Sequence, residues 1–113
     1  MTDSIAGKVK ELQQMIIDSE EYKNFDLYRR LIMEVPSLYE EVNKFRQENF
    51  ELQLSGEIQN REKADDIVVR YKEMLNNSLV TPYLNAELVL CKMLQDINGM
   101  LVDNIDLGLD FLK

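Results

Sequence analysis

The sequence contains no histidine and a single cysteine, Cys91. Without histidine, the Glu-x-x-His carboxylate-bridged metal bundle, the zinc hydrolase site and the Ser-His or Cys-His nucleophilic dyads cannot be built from one chain. One cysteine forms no intramolecular disulfide, which excludes the secreted disulfide-scaffold class and points to a reducing compartment. An iron-sulfur cluster needs about four thiolates, so several chains would each have to contribute one. Four glycines, at 7, 56, 99 and 108, make no phosphate-cradling loop, and with only two prolines the breakers are too scarce for an all-β fold. No uninterrupted apolar run reaches the ~18 to 20 residues of a membrane span, and the opening MTDSIAGKVKEL lacks a signal-peptide core. The expected location is the cytoplasm.

Positive charge is also in short supply. Lys and Arg number 13 against 21 Asp and Glu, a formal charge of -8 that repels phosphate. The deficit is spread evenly, at -2 over residues 1–35, -3 over 36–76 and -3 over 77–113, so no segment forms a basic arm. Adjacent carboxylates such as Glu20 and Glu21, Glu40 and Glu41, or Asp65 and Asp66 point in different directions on a helix and read as solvated charge, not as an acid/base pair. No catalytic, cofactor or metal residues are expected, and the chain is read as a non-enzyme.

What the chain has is helical amphipathicity. Its 113 residues, 45 per cent apolar and 30 per cent charged, suit one all-helical unit over residues 1–113. Asp3 or Ser4 can cap a first helix, whose Ile5, Val9, Leu12 and Ile16 share a face and which ends near Asp18. Ser19, followed by Glu20 and Glu21, starts a second helix, with Tyr22, Phe25, Tyr28 (or Arg29), Ile32 and Val35 as its stripe. Such an aromatic row can stack bases, but on an amphipathic helix it packs a core far more often.

Pro36 breaks the second helix and suits the first turn of a third, expected over 37–55 and ended by Gly56. Its Leu38, Val42, Phe45, Asn49 and Leu52 form a short coiled-coil-like seam, in which Asn49 either fixes register against a second chain or simply meets water. A polar connection over 57–61 leads to a fourth helix carrying Ala64, Ile67, Val68, Tyr71, Met74 and Leu75, ended by Asn76 and Asn77.

The most apolar stretch is 81–101, TPYLNAELVLCKMLQDINGML, a long helix capped by Ser78 or Thr81 with Pro82 in its first turn. One stripe reads Tyr83, Ala86, Leu90, Met93, Ile97 and Met100 or Leu101. A second reads Leu84, Leu88, Cys91 and Leu94. A helix packing on one side needs one stripe, so two predict burial on two sides, the second against another chain. On that face Cys91 is expected to behave as a small hydrophobe. The tail 105–111 alternates apolar residues with Asp and Gly, which predicts an extended segment folding back on its own bundle, with a partner's groove as the alternative.

The leading reading is therefore an oligomeric helical regulator or adaptor acting through protein contacts, with Phe45, Asn49, Leu52, Leu84, Leu88 and Cys91 as its interface. The alternative is a nucleic-acid-binding module using Arg29, Arg30, Lys8 and Lys10 with the nearby tyrosines. The acidic chain and the neighbouring Asp26 and Glu34 make direct nucleic-acid binding the weaker reading.

The segments SEEYKNF (19–25), the break at Pro36, FRQENFELQ (45–53) and YLNAELVLCKMLQDING (83–99) resemble the YlbF/YmcA family over nearly the whole length. The resemblance implies a small, wholly helical, bacterial cytoplasmic protein that associates as a homo-oligomer or with family paralogues, and is not an enzyme. Its best-known members act with a third protein to modulate the membrane-tethered endoribonuclease RNase Y, and so mRNA maturation, competence, biofilm formation and sporulation. Some members of that complex carry iron-sulfur clusters on cysteines. With Cys91 alone, this chain departs from that pattern, so no cofactor carries over.

Overall fold

The computed structural model describes residues 1–56 and 61–112; of the polar connection expected over 57–61, residues 57–60 lie outside the described residues and Arg61 is already helical. The fold is all-α: α1 (Asp3–Ile17), α2 (Glu20–Met33), α3 (Pro36–Leu54), α4 (Arg61–Arg70), α5 (Lys72–Leu75) and α6 (Val80–Val102), followed by a 3-10 turn at Asp110–Leu112.

Local chemistry sets most of these boundaries. The Ser19 hydroxyl accepts the Tyr22 backbone N–H at 3.2 Å and so caps α2, as its sequence predicts. Pro36 occupies the first turn of α3, where its missing donor costs nothing. Gly56 takes the left-handed conformation, φ +75°, that ends α3. The first cap differs from expectation: Thr2 precedes α1 and Asp3 is already helical.

The fourth helix is not continuous. It breaks at Tyr71, whose ring stands edge-on to Phe45 with centroids 5.5 Å apart and whose hydroxyl the neighbouring Glu48 pushes above the ordinary tyrosine range. These two contacts with α3 hold a residue whose backbone has left the helical region, at φ -107° and ψ 18°. The cap of α6 also differs: neither Ser78 nor Thr81 supplies it. The Asn77 side chain accepts the Leu79 N–H at 2.9 Å, and the Thr81 hydroxyl instead donates to the Leu75 carbonyl at 3.0 Å, tying α5 to α6.

The core lies where α2, α3, α4 and α5 meet the first half of α6. Ile32, Val42, Val80 and Tyr83 are wholly buried, with Phe45, Ile67 and Met74 beside them. Phe25 stacks on Tyr83 at 5.4 Å between centroids, so the aromatic face of α2 is used in packing. The α3 seam serves this core, with Val42 and Phe45 buried and Leu38 and Leu52 packed against them.

Outside the core the chain is thinly covered. Its extents are 48 × 37 × 18 Å, about two helices thick. The radius of gyration is 18.1 Å, against about 13 Å for a compact chain of this length. α1 contains no buried residue, and none of the described residues after Leu90 is buried. The tail does not fold back: its described residues are all exposed, and the Gly108 N–H bonds to Asp106 in a turn with Gly108 at φ +67°. That turn removes the two-residue period that would have put Ile105, Leu107 and Leu109 on one face.

Candidate interaction surface

α6 is buried on one side only within this chain. From its first stripe, Tyr83, Ala86 and Leu90 are covered by the core, Met93 and Ile97 are half-buried, and Met100 and Leu101 are exposed. From its second, Leu84 is half-buried, Leu88 is 67% exposed, and Cys91 and Leu94 are exposed. Within this chain Cys91 is a surface thiol, because α3 reaches α6 only as far as the turn carrying Leu84, Glu87 and Leu88.

Between α3 and α6 runs a groove of about 350 Å³ walled by Asn49, Phe50, Leu84 and Leu88 with Phe45 at its base. Four of the six residues picked from sequence (Phe45, Asn49, Leu84 and Leu88) come together here. Leu52 faces the opposite side, towards α4, and Cys91 lies beyond the groove's lining. Sequence reasoning missed Phe50, 59% exposed, because it lies off the seam that runs through Phe45 and Asn49. Its signal was available: a large aromatic on the polar side of an amphipathic helix.

Arg46 fixes the groove's inner wall. Its guanidinium donates to the Tyr83 hydroxyl at 2.9 Å, pairs with Glu87 at 2.8 Å and lies over the Tyr83 ring. One side chain of α3 thereby holds two residues of α6, one helical turn apart. Burial pushes the Tyr83 hydroxyl above the ordinary tyrosine range. On the far side of α3, Arg70 bridges Glu48 and Asp66 at 2.9 Å each, and its hydrogen bond holds the Glu48 carboxyl below the usual range.

Three of the four cations of the nucleic-acid reading, Arg29, Arg30 and Lys8, are held in local ion pairs. Asp26 pairs with both Arg29 and Arg30, the latter at 2.9 Å, and its hydrogen bond raises the Arg29 pKa further. Arg29 also lies over Phe25, and Lys8 pairs with Glu11 at 3.2 Å. These are local pairs on a solvated surface. Among the described residues no group of three or more His, Cys, Asp or Glu is placed to hold a metal ion, and no helix is long and apolar enough to cross a membrane.

The class is that of a small all-α protein with open, helix-lined apolar grooves. The chain belongs to the family described as control of competence regulator ComK, YlbF/YmcA, whose model matches residues 5–106. That description names a regulatory role and no reaction. Among curated proteins it is similar to UPF0342 proteins of Caldicellulosiruptor bescii, 27% identical over 85% of this chain and 83% of the relative, and of Symbiobacterium thermophilum, 27% identical over 90% and 94%. A third, from Desulfitobacterium hafniense, is 25% identical over 95% of this chain and 92% of its own length. No solved structure matches the chain.

Proposed function

We propose that this protein is a non-enzymatic, oligomeric regulator that acts by contact, receiving an amphipathic helix of a partner protein in the α3–α6 groove. The observation that carries the reading is the groove itself: Phe50 and Leu88 stand more than half exposed on either side of a buried base, with the polar Asn49 between them. An apolar groove with a few polar residues matches the i, i+3, i+4, i+7 anchors of a docked helix.

Membership in a family of competence regulators supports a role in developmental gene control. The partners of this reading are a YlbF/YmcA paralogue and, through it, RNase Y, so that the output is altered mRNA processing in the cytoplasm. Affinity purification from the native bacterium tests this. The expected result is co-purification of a paralogue or RNase Y with the wild type and its loss with Leu88→Glu, which puts a charge in the groove. Equal recovery with both proteins, or recovery of neither partner by the wild type, defeats the proposal.

A further inference from the structure

Gly99 has no packing reason to be a glycine. α6 runs through it to Val102, and its carbonyl accepts the Asp103 N–H at 2.9 Å. A Cβ built on it would meet nothing within 4 Å. Glycine weakens a helix interior, and here no close approach compensates. The residue before it is Asn98, and both are exposed, in the half of α6 where none of the described residues is buried.

We propose that Asn98 is a site of spontaneous deamidation, and that the modification ends α6 early. The Gly99 backbone nitrogen attacks the carbon of the Asn98 side-chain amide and forms a new C–N bond. The bond to the amide nitrogen breaks, and ammonia leaves with the proton that the attacking nitrogen gives up. The product is a cyclic imide. Water then opens the ring at one of its two carbonyls: at the side-chain carbonyl it leaves aspartate, and at the backbone carbonyl it leaves isoaspartate, with the chain now running through the side-chain carbon. Water is the only co-reactant, and nothing is oxidised or reduced.

Sequence and structure single out this asparagine. A side chain on the following residue crowds the attacking nitrogen, and every other asparagine of the chain precedes a residue that has one. Asn77 is also held, its side-chain oxygen accepting the Leu79 N–H. Among the described residues no hydrogen bond or ion pair holds the Asn98 side chain. An intact helix opposes the attack, because it directs the Gly99 N–H to the carbonyl four residues earlier. The turn must therefore open first, and opening is easiest where little is buried. Met100 and Leu101, 77% and 56% exposed, leave the last turns lightly held. Asn85 is the counter-example on the same helix, flanked by the buried Tyr83 and Ala86.

Both products act on the end of α6. Aspartate puts a carboxylate near the helix's negative end, two residues from Asp96. Isoaspartate adds a carbon to the backbone and interrupts the hydrogen-bond ladder. The first weakens the last turn and the second removes it, so Met100 and Leu101 leave the apolar face of α6.

Peptide mass spectrometry of the full chain, aged in neutral buffer, tests this. The Asn98 peptide is expected to gain the mass of an amide-to-acid conversion before any other asparagine peptide. Gly99→Ala restores helix propensity and crowds the nitrogen, so it should slow the gain at least about fivefold. Asn98→Gln keeps an amide but would need a larger ring, and should block it. Nuclear magnetic resonance of the aged wild type should show Met100 and Leu101 moved to coil shifts, and aged Asn98→Gln should keep them helical. Modification of Asn98 no faster than of Asn85, a Gly99→Ala variant that ages like the wild type, or modified protein in which Met100 and Leu101 stay helical overturns the proposal.

Discussion

The two halves of α6 are equally apolar and differently covered. Between Val80 and Leu90, four residues are buried beneath α2, α3 and α5, and a stacked ring, an arginine and a backbone tie fix the helix in place. From Cys91 to Val102 the same helix carries Met93, Leu94, Ile97, Met100 and Leu101, and none of them is buried. Apolar content does not distinguish the halves; the supply of neighbours does. About 110 residues provide helices enough to cover one end of a 23-residue helix, and the other end is left uncovered.

The comparison breaks most visibly in the core. Tyr83→Ala or Ile32→Ala, both at fully buried side chains, should cost about 3–5 kcal/mol in urea unfolding. Leu94→Ala, on the uncovered half, should cost under about 1 kcal/mol in the same measurement. Equal losses at both positions would erase the distinction between the two halves.

Arg46→Ala comes next. It removes the donor to the Tyr83 hydroxyl and the partner of Glu87, and because Arg46 is about one-third exposed the expected loss is about 1 kcal/mol. A double-mutant cycle with Tyr83→Phe should show coupling, because Arg46 and Tyr83 act as one contact. Ser19→Ala should also lose about 1 kcal/mol as a true cap, whereas Ser78→Ala should stay within about 0.5 kcal/mol, since no side chain caps α6. Thermal melts of the two serine variants side by side check this.

The smallest effects are in pH. The Glu48 carboxyl titrates below its ordinary value because Arg70 bonds to it. Its contribution is therefore present above the unfolded carboxylate pKa and lost as pH falls through the lower folded one. Tyr83 titrates above its ordinary value because it is buried. Its contribution is present below the unfolded tyrosine pKa and lost as pH rises through the folded one. Arg70→Met should flatten the acid side alone, and Tyr83→Phe the alkaline side alone, in stability measured against pH.

The helices were legible in the sequence because their signals are local. Apolar periodicity, the Ser19 cap, Pro36 and Gly56 each act within a turn or two, and the surplus stripe of α6 was visible as a stripe. The break at Tyr71 was not, since it accompanies contacts with Phe45 and Glu48 more than twenty residues earlier in the chain. The uncapped start of α6 was hidden too, because Ser78 and Thr81 are both residue types that cap helices, while here the Asn77 side chain turns the chain at Leu79 and Thr81 bonds back to Leu75. For the candidate surface, the pattern picked out Leu84 and Leu88, but which side of α3 faces α6 is a packing outcome. That outcome put Phe50 into the groove and took Leu52 and Cys91 out of it.

Hydrogen exchange along α6, followed at low and high protein concentration, tests the central claim most directly. Amides in the 80–90 half should exchange slowly and at the same rate at both concentrations, because their cover is intramolecular. Amides at 93–102 and in α1 should exchange much faster than those at 80–90, because nothing in the chain covers them. Equal protection of the two halves of α6 would contradict the account.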